Sequence, residues 1–252
     1  MFFDWSLCRK PSPPEAQIAR FFAMKLLLPP DPPADTQAPP AQAAASSLGT
    51  ETQIWLIRHA EVAEEFHGLA YGAADVPLSE RGMEQSRAVA RSFEGSRVAR
   101  IYASPSQRTQ AMAKLLESST GAPLTTLEGL KELDRGAWQG GTREDFRSRW
   151  HADAESWWRD PWNWRPTEGE CDAELFARAW PAIERATQEA PGSVCVICTH
   201  ANTIRALLTG ALGLRSIDGY ELATDPAHAN LLVDVKGAWE LRDQNRAPGA
   251  ET

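Results

Sequence analysis

The sequence has few cysteines and no long hydrophobic run. Four cysteines among 252 residues are too few and too scattered to form a disulfide framework. No stretch reaches the roughly 18 apolar residues that a membrane-spanning helix requires, so we expect no contact with a membrane. The N-terminus also lacks the basic-then-apolar order of a signal peptide. These absences predict reduced cysteines and a cytoplasmic location.

Positive charge is scarce as well. The formal net charge is −8 and the sequence pI is about 5.2, which argues against a protein that binds nucleic acid without sequence preference. Apolar residues make up 42% of the chain, enough for one sizeable α/β domain. Cys195 and Cys198 form a C-x-x-C, but alternation within a strand would place them on opposite faces. We therefore expect both thiols to be buried and inert.

Residues 1–50 differ in composition from the rest of the chain. Nine of the 18 prolines lie in the first 40 residues, and small residues follow from Ala41 to Ser47. Such a segment buries too little surface to offset the entropy of ordering it. We predict a flexible extension over 1–50. Two alternatives stay open within it: a short helix around 18–28, and translation that starts at Met24. A single domain is then predicted over 51–252.

Strand and helix patterns alternate along this domain. The apolar run 54–57 predicts a buried strand that ends at Arg58 and His59, and the run 194–199 predicts another that ends at His200. Ser79 and the pair Ser104-Pro105 are typical helix starts. Residues 229–235 and 238–241 predict a closing hairpin. The order predicts a three-layer α/β/α sandwich with a mostly parallel central sheet.

Tryptophan is concentrated in one segment. Six of the ten tryptophans lie within 138–168, interleaved with arginines and with acidic residues that dilute the positive charge. The segment is open to three interpretations: a nucleic-acid surface, ordinary core packing, or a helical cap inserted over a pocket. We favour the cap.

Polar residues gather at the ends of the predicted elements. Arg58 and His59 end one strand and His200 ends another, while Arg108 lies in the first turn of a helix and Glu132 follows a third strand. In a doubly wound sheet such ends converge on one crevice. Arginine binds phosphate oxygens with two parallel hydrogen bonds, histidine can act as a nucleophile, and a carboxylic acid can protonate a leaving alkoxide. The set predicts phosphoryl transfer without a metal ion.

These residues resemble the histidine phosphatase superfamily, which includes phosphoglycerate mutases. The matching motifs, in chain order, are Arg58-His59-Ala60-Glu61, the segment 72–85, Ser104 to Ala113, Leu130 to Gly140, Gly169-Glu170 and His200. The resemblance covers about residues 52–242. Within the family the chain looks most like α-ribazole phosphatases and related small-molecule phosphatases.

The resemblance implies roles for the gathered residues. His59 would be the phosphorylated nucleophile, Glu132 the proton donor, and Arg58, Arg108 and His200 would hold the phosphoryl oxygens. Asn202 and Glu65 are assigned to substrate binding. The implied partner is a small phosphate ester, with no cofactor, no metal and no nucleic acid. The oligomeric state, monomer or homodimer, is left open.

The chain departs from the family pattern next to both histidines. Ala60 and Ala201 stand where glycine is usual, and Val62 and Glu65 replace a threonine and an asparagine. A carboxylate at position 65 would repel phosphate, so Glu65 either points away or marks a different substrate. Two alternatives to a phosphatase follow: mutase-type phosphoryl transfer, or a phosphate-binding module with impaired catalysis.

Overall fold

The structure, a computed structural model, describes residues 51–249. The predicted extension over 1–50, with the helix expected at 18–28 and the proposed start at Met24, lies outside the described residues. Within residues 51–249, no helix is long and apolar enough to cross a membrane.

A six-stranded mixed sheet forms the centre of the fold. Its spatial order is β3-β2-β4-β1-β5-β6, with β1 to β4 mutually parallel, β5 antiparallel to β1, and β6 antiparallel to β5. The predicted mostly parallel sheet is thus confirmed. The strands are β1 (Thr52–Arg58), β2 (Val98–Ala103), β3 (Leu124–Thr126), β4 (Val194–Thr199), β5 (Ala229–Val235) and β6 (Ala238–Arg246).

Helices cover both faces of the sheet. They are α1 (Glu80–Ser92), α2 (Gln107–Thr120), α3 (Arg143–Arg147), α4 (His151–Arg159), α5 (Asp172–Glu189), α6 (Ala201–Leu212) and α7 (Ser216–Gly219). One apolar cluster joins α5 and α6 to the sheet, and a second joins α1 and α2 to its other face. The predicted three-layer sandwich is confirmed.

The two cysteines of the C-x-x-C lie on opposite faces of β4, as alternation predicts. Cys195 belongs to the cluster under α5 and α6, and Cys198 belongs to the cluster under α1 and α2. Both are buried and free. Burial raises the pKa of Cys195 to about 11 and that of Cys198 to about 12, so neither thiol ionises readily at neutral pH.

The two predicted helix starts had different outcomes. Ser79 caps α1, its Oγ accepting a hydrogen bond of 2.9 Å from the Gly82 amide. The start at Ser104-Pro105 is wrong, because Ser106 is the N-cap residue and α2 begins at Gln107. The Ser104 hydroxyl lies instead 2.8 Å from the His200 ring, and the Ser104 carbonyl accepts from Thr109 Oγ1. A contact with His200 has replaced the expected cap.

The tryptophan-rich segment forms the short helices α3 and α4 and a compact aromatic cluster. Trp138 and Trp157 are almost fully buried, and their rings contact Phe146, Trp164 and Tyr220. The aromatic rings therefore pack mainly against one another instead of forming an exposed stacking surface. The boundaries of the cap, predicted at about 138–168, stay a prediction.

Candidate active site

The carboxyl ends of β1 and β4 bring two histidines side by side. The strands are parallel neighbours in which Arg58 pairs with Thr199, so the residues that follow, His59 and His200, lie next to each other. Their ring centroids are 5.3 Å apart, and both side chains are buried. The register of two strands has thus placed two imidazoles at one point in the crevice.

The hydrogen bond of His59 selects which ring nitrogen is free. Its Nδ1 lies 2.8 Å from the carbonyl oxygen of Ala60. A carbonyl only accepts, so in the neutral ring Nδ1 carries the proton and Nε2 keeps its lone pair. His59 is therefore oriented as a nitrogen nucleophile.

The environment keeps both imidazoles neutral. The pKa of His59 and that of His200 are well below the usual range, first because burial penalises the charged ring and then because Arg108 is nearby. A neutral ring is the form that attacks phosphorus, and here it persists at pH values below the ordinary histidine pKa.

We expect neither ring to protonate when the pH falls to 6.5. Carbon-13 NMR of histidine-labelled protein in phosphate-free buffer would follow the ring signals of all five histidines as the pH changes. The signals of His59 and His200 would be assigned as those missing from the His59→Gln and His200→Gln spectra. The two assigned signals should hold their neutral chemical shifts at pH 6.5. A midpoint at or above 6.5 for either would contradict the electrostatic description.

Two buried arginines flank the histidines. Arg58 donates from Nη1 to the Thr224 carbonyl at 2.6 Å. Arg108 donates to the carbonyls of Ala74 at 2.6 Å and Gly72 at 3.0 Å. The Nε atoms of both are buried without a partner, and neither guanidinium forms an ion pair within residues 51–249. The pocket therefore holds two guanidinium groups that form no direct ion pair with a carboxylate of residues 51–249, an arrangement that suits an anion site.

Tyr71 is part of this pocket although its sequence context did not single it out. The Arg108 guanidinium lies 5.3 Å from the Tyr71 ring centroid, and the ring is 6.4 Å from that of His59. Tyr71 precedes Gly72, the first residue of a recognised motif. That adjacency was the one signal the sequence offered.

Glu132 is buried at the start of α6. Its Oε1 accepts from the Leu133 amide at 2.8 Å, and its Oε2 accepts from the Asn202 amide at 3.3 Å. The Asn202 side-chain oxygen is buried without a partner. The loop after β3 and the helix after His200 therefore meet at the Glu132 carboxylate, which places Glu132 and Asn202 together.

Arg178 on α5 holds the loop that carries Glu132. Its guanidinium donates to the carbonyls of Gly129 at 2.7 Å, Lys131 at 2.7 Å and Glu132 at 3.0 Å. It also pairs with Glu170, whose Oε1 accepts from the Asp134 amide at 2.8 Å. One side chain thus fixes the backbone on both sides of Glu132. The sequence motif contained Glu170 but gave no sign of Arg178.

The departures from the family pattern lie at different depths. Ala60 and Ala201 are buried beside the histidines. Val62 is buried and forms a bridge with Leu78. Glu65 lies exposed on the short 3-10 turn Glu64–Phe66, outside the buried group formed by the other predicted site residues.

Residues 51–249 contain no group of three or more histidine, cysteine or acidic side chains that could hold a metal ion.

The sequence pattern of the Histidine phosphatase superfamily (branch 1) matches residues 54–247. A 2,3-bisphosphoglycerate-dependent phosphoglycerate mutase from Methylobacterium sp. (strain 4-46) is 31% identical over 183 residues, covering 69% of this chain and 88% of the mutase. Phosphoserine phosphatase 1 of Hydrogenobacter thermophilus is 26% identical over 159 residues, covering 63% of this chain and 75% of that enzyme.

Solved structures with the same fold include two phosphatases. A mycobacterial glucosyl-3-phosphoglycerate phosphatase superposes with a TM-score of 0.70 at 24% identity, covering 78% of this chain and 99% of the other. The α-ribazole phosphatase of Shigella flexneri gives 0.67 at 24% identity, covering 79% and 100%. At these identities the likeness concerns the fold alone.

Proposed function

We propose that this chain, which belongs to the histidine phosphatase superfamily, hydrolyses small organic phosphomonoesters through a phosphohistidine formed on His59. One observation carries the proposal: the ring centroids of His59 and His200 lie 5.3 Å apart beside Arg58 and Arg108, which form no ion pair with a carboxylate within residues 51–249. A candidate nucleophile and two cationic donors for phosphate thus lie together.

The reaction has two balanced steps. In the first, His59 Nε2 attacks phosphorus, a phosphorus–nitrogen bond forms, the ester phosphorus–oxygen bond breaks, and Glu132 protonates the departing alkoxide. In the second, the Glu132 carboxylate takes a proton from water, the water oxygen attacks phosphorus, and the phosphorus–nitrogen bond breaks. Inorganic phosphate leaves, and His59 and Glu132 return to their starting states.

The surrounding residues stabilise the charge that develops on the phosphoryl group. Arg58 and Arg108 supply guanidinium donors anchored on backbone carbonyls. The Ser104 hydroxyl can donate to His200 Nε2, which leaves the buried, unpartnered Nδ1 as an N–H donor for a phosphoryl oxygen. Donors fixed before the reaction begins stabilise the transition state without reorganising.

The candidate substrates come from the relatives. α-Ribazole 5'-phosphate is the first candidate, and phosphoserine and phosphoglycerates follow from the other proteins compared above. Mutase-type transfer is the second candidate function, favoured by the 31% identity to a phosphoglycerate mutase. Asn202, with its unpartnered side-chain oxygen, is proposed to contact the substrate, as is Glu65 from the rim.

A panel of metabolite phosphates tests the proposal. We expect phosphate release from at least one alkyl phosphomonoester, measured colorimetrically. The mutase candidate predicts instead that 2- and 3-phosphoglycerate interconvert, followed by phosphorus-31 NMR, and that this depends on added 2,3-bisphosphoglycerate. Tight binding of phosphate or vanadate with no turnover of any ester would overturn the proposal in favour of a binding module.

Arg178→Gln should slow hydrolysis of alkyl phosphates about 10- to 100-fold, because the loop carrying Glu132 loses its support. Hydrolysis of p-nitrophenyl phosphate should show a smaller defect in its first step, since nitrophenolate leaves without protonation. The control is Arg185→Gln, an exposed arginine on the same helix that pairs with Glu189. Equal losses in the rate of the first step on both substrates would contradict a role in positioning Glu132.

A further inference from the structure

Arg58 has fewer supports than Arg108. Within residues 51–249, the Thr224 carbonyl at 2.6 Å is the only hydrogen-bond partner of the Arg58 side chain, and the Arg58 Nε is buried without one. Arg108 donates to two carbonyls and also lies 5.3 Å from the Tyr71 ring centroid. The position of the Arg58 guanidinium therefore depends on whatever holds Thr224.

The segment 224–228 is fastened to the strand end that carries Arg58. The Ala227 amide donates to the carbonyls of Arg58 and His59, each at 3.2 Å, and the Arg58 amide donates to the His228 carbonyl at 3.1 Å. Ala227 is buried and has a left-handed backbone conformation, with a φ of 62°. A residue with a side chain is strained in that conformation, so surrounding contacts must hold the segment in place.

One side chain outside the segment holds it through two hydrogen bonds. Asn245, near the end of β6, accepts from the Asp225 amide through Oδ1 at 2.7 Å. Its Nδ2 donates to the Asp225 carboxylate at 2.8 Å. Asp225 directly follows Thr224, so this reciprocal pair lies one residue from the carbonyl that binds Arg58.

A β-bulge directs Asn245 toward this segment. Residues 244 and 245 of β6 together oppose the single residue 230 of β5. Asn245 has a φ of 50°, a left-handed value that asparagine tolerates better than most residues. Its amide donates to the Asn230 side-chain oxygen at 3.0 Å instead of to a strand carbonyl. Bulges change the direction of a side chain and are common beside active sites.

We propose that Asn245 is a positioning residue for the phosphoryl site, acting through the segment 224–228 to hold the Arg58 guanidinium where it binds a phosphoryl oxygen. The inference rests on the proposed function, because Arg58 must contact the phosphoryl group. Without the Asn245 side chain, Thr224 loses its neighbouring support and Arg58 is correctly placed for a smaller fraction of the time. The apparent affinity for a phosphoryl anion falls by that fraction.

Asn245→Gly provides the first test, because glycine adopts the left-handed conformation freely and only the side-chain amide is lost. Calorimetric titration with inorganic vanadate, a phosphoryl analogue, should show binding about 3- to 10-fold weaker than in the wild type. The control is Gln244→Ala, which removes an exposed side chain of the same bulge and should bind vanadate as the wild type does. Equal affinity in Asn245→Gly and the wild type would overturn the proposal.

A double-mutant cycle separates positioning from a general loosening of the fold. In the Arg58→Gln background, Asn245→Gly should weaken vanadate binding by less than about twofold, because the group through which Asn245 acts is gone. An equal loss in both backgrounds would show that the effect does not pass through Arg58, and the proposal would fail. If Asn245→Gly does not fold, Asp225→Ala, which removes the acceptor of Asn245 Nδ2, replaces it in the cycle.

An exchange of the two side chains provides a rescue. Asn245→Asp alone places two carboxylates against each other and should weaken vanadate binding at least as much as Asn245→Gly. Adding Asp225→Asn restores one amide and one carboxylate with their positions exchanged, so affinity should return to within about threefold of the wild type. No recovery in the double variant would contradict the pair as the support of Arg58.

Binding and hydrolysis together distinguish this role from the proposed function. Coupling between Asn245 and Arg58 in vanadate binding, in a protein that hydrolyses no ester, would refute the proposed function alone. Ester hydrolysis that depends on His59, without that coupling, would refute the positioning role alone. A wild-type protein that binds no vanadate would refute both.

Discussion

His59→Ala is expected to lower phosphomonoester turnover at least ~1,000-fold, because it removes the atom that accepts the phosphoryl group. The buried Nε2 with a free lone pair has no neighbour able to replace it, since the His200 Nε2 is engaged with Ser104. Steady-state kinetics with p-nitrophenyl phosphate provides the measurement, because this ester has a good leaving group and the loss then reports nucleophilic attack.

The matched control is His151→Ala, which removes an exposed imidazole on α4 that lies 4.0 Å from Glu155. Its turnover should equal that of the wild type. Quenching in alkaline detergent during turnover of a phosphorus-32 ester should trap acid-labile, base-stable label on the wild type and none on His59→Ala. If His59→Ala keeps more than a tenth of the activity, or if label persists, the nucleophile is another residue.

The architecture could be predicted because local patterns agreed with the global fold. The apolar run of β1 is buried in both layers, so its composition alone identified a central strand. Ser79 caps α1 through a bond that depends only on residues three apart. The convergence of His59 and His200 followed from the rule that parallel strands present their carboxyl ends at one edge of the sheet.

The supports of the site could not be predicted from sequence because they depend on distant contacts. Arg178 reaches carbonyls 46 to 49 positions away, and a helical arginine of this kind looks solvated in sequence. Ser104 was predicted to cap a helix because its actual partner, His200, lies 96 positions away and local sequence gives no sign of it.

The residues around His59 show which departures bear on the chemistry. Ala60 supplies through its carbonyl the bond that orients the His59 ring, a role that a backbone atom performs whatever the side chain. The alanine is therefore compatible with catalysis. Glu65 is exposed on its turn, so its charge is screened by water and need not repel a phosphate bound between the buried arginines.

Glu132→Gln should produce a defect that depends on the leaving group. The amide keeps the size and the acceptor oxygen of the carboxyl, but it cannot give a proton to an alkoxide or take one from water. General acid–base catalysis contributes about 100- to 10,000-fold, so alkyl phosphates should lose activity in that range. For p-nitrophenyl phosphate the first step needs no proton, whereas the second still needs an activated water.

Glu132→Gln should therefore release nitrophenolate in a burst of about one equivalent per active site. Slow turnover should follow, because hydrolysis of the phosphohistidine is then rate-limiting. Stopped-flow absorbance measures the burst, and acid-labile label on the protein should rise with it. Alkyl phosphates should give neither burst nor label. Glu132 is held by the Leu133 and Asn202 amides. Thr203→Val, which removes the 3.4 Å contact with Glu132 and the 3.0 Å hydrogen bond to the Lys131 carbonyl, serves as the comparison. Equal defects on both esters, with no burst, would show that Glu132 acts on binding and not on proton transfer.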